Sequence, residues 1–563
     1  MNRMRTLPAL VALAALGACA AIPTSGEIGT GDTVVVEPGQ AIPIANDPGI
    51  DAEPEEIVKG FLQASAAGFY DDFTVARRFL TASAANRGDP RESVVVFPLQ
   101  GSGPEITRRG DDSVLVSVPV SATVDAEGRY TEAVPGSIEE IVLEVAKDLS
   151  GQWRISGLEN GVVMASTNFM PVFRATPVYF ASTDRTQLVP DLRWFPSEAI
   201  ATSAVTALLQ GPSPWLRDAV VSGAPEGVAL STAAVTVGAD RVATMDLTAE
   251  GTVTRSADRN LLQAQIEAML LRAPGIAVTD VRITVGGLEW ETTATLSPER
   301  DVAPGPGPYV IWRDRLALLD SGAVVPLADA PALTDLNAHS PAVSLDGEIR
   351  VVLSGSGTLL HLPRDGSEPV PLVVSPGLVA PSIDRLSWVW TAPRASDGTV
   401  VAAQPGAEPV SVAADWLEGR TVRSLRLARD GSRIAVVSVA ADGSDPSVDV
   451  AAVVRDDDGT PQLLSAPTQV GAILTDATEV AWVDEVTVAV LGISGNQTLP
   501  AVHLAQVGGT TTSMSPVDGS VGIAAGRGDR TIYVVNAEGT MYVRRTGAWV
   551  EAATGVRDPV FGG

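Results

Sequence analysis

One thiol occurs in 563 residues, Cys19, and its surroundings suit a single kind of chemistry. It closes the stretch Leu16-Gly17-Ala18-Cys19, a leucine, two small residues and a cysteine, which is the bacterial lipobox pattern. Small side chains let the backbone enter a peptidase cleft. The thiol is alkylated with diacylglycerol, and cleavage leaves Cys19 as the new N-terminus, open to N-acylation. Upstream, Arg3 and Arg5 give the positive end and Leu7 to Gly17 an apolar run, the layout of an export signal too short to span a bilayer. Ala18-Cys19-Ala20 also fits a small-x-small cleavage site, which would release a secreted protein. A lone thiol in an exported chain has no disulfide partner, and that favours lipidation. Two acyl chains anchor stably where one binds only marginally.

No other constellation offers catalysis. The three histidines, His339, His361 and His503, are far apart and lack metal-ligand spacing, so no metal site is expected. His361 lies in a strand pattern, where a rim position is expected. Ser354-Gly355-Ser356-Gly357 reads as a hairpin turn rather than a nucleophile elbow. Asp456-Asp457-Asp458-Gly459 lacks the distal glutamate of an EF-hand and reads as a solvated turn. Trp388 and Trp390, on one face of a strand, could stack on sugar but fit internal packing better. Trp153 likewise reads as core. No cofactor is expected, and the chain is read as non-enzymatic.

The elements around these residues are set by composition and period. The chain carries 39 Lys+Arg against 67 Asp+Glu, a net charge of −28, and loses two more positive charges with residues 1–18. Such a surface excludes nucleic acid, which needs basic groups to displace counterions. It also disfavours lying flat on anionic lipid. Residues 19–53 are rich in Pro, Gly and Thr and read as a flexible tether of roughly 30 Å reach. Residues 54–170 read as an α+β module: a helix from Glu55, a second helical stretch Phe73 to Leu80, then strands at Val94–Phe97, Ser113–Val120, Ile138–Val145 and Gln152–Ile155. That plan looks like an NTF2-like cone, helices over the concave face of a curved sheet.

Residues 171–300 read as a second α+β module. Strands are expected at Pro177–Phe180, Leu188–Phe195, Val228–Val237, Arg241–Leu247 and Ala277–Val285, with helices at Glu198–Gln210 and Asn260–Leu271. The segments Ala207-Leu208-Leu209-Gln210-Gly211-Pro212, Ala224-Pro225-Glu226-Gly227-Val228 and Val242-Ala243-Thr244-Met245-Asp246-Leu247 resemble a GerMN domain. That resemblance implies a binding module without a catalytic set, and Asp246 is read as a turn or cap carboxylate. Residues 301–308, alternating Pro and Gly, form a linker that excludes helix and ladder pairing. From 309 to 563 short strands alternate with Asp-Gly-type turns at Asp346-Gly347, Asp365-Gly366, Asp430-Gly431 and Asp458-Gly459. Four-stranded units of about 40 residues predict a β-propeller of about six blades, with Tyr309–Trp312 a candidate closing strand.

Lipobox, tether, two α+β modules and propeller, in this order, resemble the lipoprotein LpqB family of actinobacteria. Ile57-Val58-Lys59-Gly60-Phe61-Leu62 and Ala76-Arg77-Arg78-Phe79-Leu80-Thr81 look like that family's N-terminal part. The resemblance implies an accessory protein held to the outer face of the cell membrane by Cys19. It also implies an association with the outer region of a sensor histidine kinase of the MtrAB two-component type. The competing expectation is a cell-wall or carbohydrate-binding protein, or a weak hydrolase. It would need paired acids and aromatic platforms in a groove, and aromatic residues are only 5% of this chain.

Overall fold

The computed structural model describes residues 45–99, 101, 103–232, 234–250, 255–495 and 497–563. The signal stretch 1–18, the lipobox and most of the expected tether therefore lie outside the described residues. Where the tether enters the description it is already held on the body, ahead of residue 54. Arg78 Nη1 donates to Asp47 Oδ1 at 2.5 Å, the Asp51 N–H donates to Gln152 Oε1 at 2.7 Å, and Ala45 and Ala52 pack on the first core. These contacts carry no local period, which is why the sequence alone assigns them to the tether.

The first helix, Pro54–Asp71, begins where a proline at its start needs no N–H partner and Glu56 reaches back to the Glu53 N–H at 3.2 Å. Ile57, Val58, Phe61, Ala64 and Phe69 form its buried face. Only Thr74–Arg77 of the second expected helix is helical, because Phe73 adopts a left-handed backbone. Phe73, Ala76 and Phe79 are buried as the pattern requires. The strands form two four-stranded sheets. One is Tyr130–Glu132, Ala122–Asp125, Ser93–Phe97 and Val162–Ala165, whose last two strands are parallel. The other, wholly antiparallel, is Glu105–Arg108, Ser113–Pro119, Ile138–Lys147 and Trp153–Gly157. Along Ser113–Pro119 buried and half-buried residues alternate, the mark of one face turned to a core.

In the second module the long hairpin Phe173–Ser182 with Leu188–Pro196 lies under the helices Ile200–Gln210 and Ser256–Leu270. Val242–Leu247 and Asp280–Val285 pair in parallel, flanked by Thr236–Val237 and Leu288–Glu289. The expected strand Val228–Val237 is reduced to Thr236–Val237 and one bridge, Leu230 to Leu247. Side-chain bonds take its place: the Val235 N–H donates to Thr202 Oγ1 at 3.0 Å and Ser231 Oγ donates to Asp246.

After residue 308 the sheets follow one another along the chain. Tyr309–Trp312, Arg315–Asp320 and Ala323–Pro326 are completed by Val556–Val560, which pairs antiparallel with Tyr309–Trp312 and joins the two ends of the region. Next come His339–Val343 to Val370–Val374, Ser382–Ile383 to Val410–Ala413, Arg420–Leu427 to Pro461–Leu464, Leu474–Trp482 to Thr511–Ser513, and Ser520–Ala525 to Ala548–Thr554. The first strand of each sheet packs against the first strand of the next, and the last of them packs on Val556–Val560, so the ring closes. Ring closure leaves only inner edges that the neighbouring sheets protect, and this is a β-propeller architecture. The hairpin turns need a residue tolerant of positive φ, and Gly431, at φ 74°, supplies it.

Candidate binding site at the junction of the second module and the propeller

A network of polar contacts lies where the second module meets the propeller. Tyr179, on strand Phe173–Ser182, is 2% exposed. Its hydroxyl donates to Glu485 Oε1 at 2.7 Å and accepts from Arg300 Nη1 at 2.9 Å. The Arg300 guanidinium lies 5.1 Å from the centre of the Tyr179 ring, and its Nε is 3.6 Å from Glu485 Oε2. Glu485 sits in the turn before Thr487–Ser494. Asp484 Oδ1 shapes that turn by accepting the Val486 and Thr487 N–H groups, each at 2.8 Å. Burial pushes the Glu485 carboxyl up, and the bond from Tyr179 and the Arg300 charge only partly offset it. Burial and the neighbouring carboxylate also raise the Tyr179 hydroxyl, so it stays protonated and remains a donor.

Arg433 supports Glu485 from below. It donates to the Glu485 carbonyl at 2.6 Å, pairs with Asp430 at 2.6 Å with both groups buried, and lies 4.9 Å from the Trp482 ring centre. Other bridges surround this centre. Arg385 pairs with Asp184 at 2.8 Å, Arg527 with Asp301 at 2.6 Å, and Trp194 Nε1 donates to the Gly508 carbonyl at 3.0 Å. The first module adds Glu132, which accepts from Thr511 Oγ1 at 2.7 Å and from the Ala472 N–H at 3.1 Å. Together these bonds hold the modules in one arrangement. The expected linker takes part as well. Asp301 is anchored by Arg527, and the Leu319 N–H donates to the Pro308 carbonyl at 2.9 Å.

On the propeller axis a cavity of about 150 Å³ is lined by Arg426, Glu479, Asn536, Arg557 and Asp558, among others. Its charged groups act as ties between sheets. Arg426 Nη1 reaches the Ala380 and Pro381 carbonyls at 3.4 and 3.5 Å, and the Ile523 N–H donates to Glu479 Oε2 at 2.9 Å. Arg429 Nη2 reaches the carbonyls of Trp482, Ala525 and Gly526 at 2.9 to 3.0 Å, and burial lowers this guanidinium to about 10.

Of the residues singled out in the sequence, Leu16, Gly17, Ala18 and Cys19 lie outside the described residues. The histidines are not brought together. His339 Nδ1 meets Ser340 Oγ at 3.0 Å, while His503 is fully buried between Ser513 Oγ at 2.8 Å and the Gly492 carbonyl at 3.2 Å. Burial lowers both His361 and His503, which favours neutral imidazoles. Trp388 and Trp390 pack in one propeller core, and Trp390 Nε1 donates to Asp384 at 2.9 Å, so neither offers a sugar platform. Trp153 is half-buried on the first core between Arg108 and Lys147. Asp246 holds the end of its strand by accepting from Thr284 Oγ1 at 2.5 Å and the Gly287 N–H at 2.9 Å, a turn role that lowers its carboxyl. Asp456 accepts the Asp458 and Thr460 N–H groups at 3.1 and 2.9 Å, forming a local turn. Among the described residues no group of three or more His, Cys, Asp or Glu is placed to hold a metal, and no helix is long and apolar enough to cross a membrane.

The junction residues Tyr179, Arg300, Arg433 and Glu485 were not legible beforehand. Tyr179 and Glu485 are 306 positions apart, and no local pattern links them. Only Arg433 had a signal. It follows an Asp-Gly turn as Arg350 does, and Arg350 likewise makes a carboxylate pair, with Asp329 at 2.7 Å.

The architecture defines a multidomain, mostly β protein with a propeller-like domain at its C-terminal end. Residues 314–562 match the model of the lipoprotein LpqB beta-propeller domain, residues 47–170 that of the lipoprotein LpqB N-terminal domain, and residues 177–291 the Germane model described as sporulation and spore germination. The chain is 30% identical over 466 residues to lipoprotein LpqB of Streptomyces coelicolor, covering 75% of each chain. It is 28% identical to that of Bifidobacterium longum, covering 80% of this chain and 78% of the relative. For Thermobifida fusca the identity is 26% with 92% of each covered. The chain belongs to the lipoprotein LpqB family.

Proposed function

We propose that this protein is a non-catalytic accessory of a membrane sensor kinase, anchored through Cys19 on the outer face of the cell membrane. The observation that carries the reading is the junction of Tyr179, Arg300 and Glu485. Its bonds couple the second module to the propeller, so a partner bound to either one acts on both. The acidic surface supports a body held off the lipid by its N-terminal residues rather than lying on it. Support for six blades comes from the succession of sheets, the third and fourth joined by the pairing of Val410–Ala413 with Pro461–Leu464, and from the pairing of Tyr309–Trp312 with Val556–Val560. Support for an NTF2-like first module comes from the helix Pro54–Asp71, which packs against strands of both its sheets.

Crosslinking in intact cells followed by affinity capture tests the reading, with wild type and Cys19→Ala compared. Wild type captures a sensor kinase and Cys19→Ala, released from the membrane, does not. Capture of wall polymer by both forms, with no membrane protein, would replace this reading with the carbohydrate-binding one.

A further inference from the structure

The first module contains a cleft beside its core that the junction does not use. It opens between the helix Pro54–Asp71 and the strands Ser93–Phe97, Ser113–Pro119, Ile138–Lys147 and Val162–Ala165. Its larger compartment holds about 110 Å³ and a smaller neighbour about 30 Å³, sharing Phe61, Ser65 and Leu158. Phe61, Val95, Val116, Ile141 and Leu143 make its inner walls apolar, while Ser93, Glu159 and Asn160 give it a polar side. An apolar cavity near 150 Å³ is about the size that accepts benzene.

Two polar features stand out against these walls. Ser65 is only 2% exposed and lines both compartments, yet its hydroxyl has no hydrogen-bond partner. A buried hydroxyl without a partner carries a desolvation cost that a ligand group would relieve. Glu139 lies on the inward side of strand Ile138–Lys147, in register parity with Ile141 and Leu143, and lines the same cleft. Neither the Glu139 carboxylate nor that of Glu159, at the rim, makes an ion pair or hydrogen bond among the described residues. Glu140 and Glu144, of opposite parity, face solvent. A carboxylate with no partner at the mouth of an apolar cleft suits a cation, and an anion would be repelled.

The geometry points to a binding site for a small organic cation, an amine on a ring-sized or short aliphatic body. The apolar body fills the cleft beside Phe61 and Val116, the ammonium meets Glu139, and a polar atom on the body reaches the Ser65 hydroxyl. This goes beyond the accessory role and does not depend on it.

Three probes of one shape and different charge test the site: benzylamine, benzyl alcohol and benzoate. Each is titrated into the full chain carrying Cys19→Ala, and binding is read by saturation-transfer NMR. Benzylamine binds with a Kd of about 1 mM, typical of eight heavy atoms. Benzyl alcohol binds about tenfold more weakly, and benzoate shows no saturation transfer. Glu139→Gln brings benzylamine to the level of the alcohol and leaves the alcohol unchanged. Glu140→Gln, on the opposite side of the same strand, changes neither. Benzoate binding as well as the amine, equal amine binding by Glu139→Gln and wild type, or no binding of any probe overturns the site. Equal weakening by Glu139→Gln and Glu140→Gln also overturns it, since the amine would then only be answering the acidic surface.

Discussion

Removing one hydroxyl tests how the second module is held to the propeller. In Tyr179→Phe the ring remains in its core, and the Arg300 guanidinium stays over its face. Two bonds are lost, one to a carboxylate and one from a guanidinium. A hydrogen bond to a charged group contributes about 1.5–3 kcal/mol. Glu485 keeps the Arg300 Nε at 3.6 Å, so part of its stabilisation survives. We take about 3 kcal/mol for the whole change, which at about 1.4 kcal/mol per tenfold is roughly a 100-fold larger open population of the junction. Glu485→Gln keeps an acceptor for Tyr179 but takes the opposite charge away from Arg300, so it costs about 3 kcal/mol. The assay is tryptic cleavage after Arg300, whose side chain is 19% exposed in the closed junction. In the regime where opening and reclosing outpace cleavage, the cleavage rate follows the open population. Tyr179→Phe should be cut about 100 times faster than wild type, with the two substitutions clearly non-additive in the double variant. An increase below about fivefold, or simple additivity, refutes the coupling assigned to this hydroxyl.

Further predictions concern the cores and the charge balance. Asp384 is fully buried, pairs with Arg455 at 2.5 Å and accepts from Trp390 Nε1. Asp384→Ala leaves the guanidinium uncompensated, costs about 4 kcal/mol and lowers the propeller melting temperature by about 10 °C, whereas Asp384→Ala with Arg455→Met recovers part of the loss. A Cβ at Gly223 would lie 2.5 Å from the Asp258 carbonyl and 2.8 Å from Leu262 Cα, so Gly223→Ala displaces the helix Ser256–Leu270 and costs about 3 kcal/mol in thermal unfolding. Because the folded chain holds the Glu485 carboxyl above its ordinary 4.5, it takes up this proton more readily than the unfolded chain. The resulting stability is complete below about 4.5 and is lost as pH rises through the elevated value, so in urea titrations Glu485→Gln flattens this decline. Asp329 behaves oppositely: bonds from Arg350 hold it at about 2, and its contribution, present above the ordinary 3.8, disappears as pH falls toward that value.

Local patterns carried much of the architecture. The alternation in Ser113–Pro119, the proline start of Pro54–Asp71 and the Asp-Gly turns of the propeller are properties of neighbouring residues, readable without any partner. The closing strand was legible because Tyr309–Trp312 is a short apolar run directly after the Pro/Gly linker, at the start of a repeat region whose two ends must meet. Patterns failed where side chains compete with the ladder. Ser231 and Thr202 capture the backbone or its neighbours along 228–237, and Phe73 breaks a helical period by its positive φ.

What the sequence by itself determined about this protein is its order of modules and the family they compose, because each rests on residues adjacent in the chain. Only the tertiary structure decided that Tyr179, Arg300 and Glu485 meet, that Glu479 on the propeller axis ties one sheet to the next, and that Ser65 and Glu139 share a cleft. Such groupings join residues tens to hundreds of positions apart. Their physical cause is burial: a polar group taken from water is stable only where the fold supplies a partner, and that partner carries no mark in the local sequence.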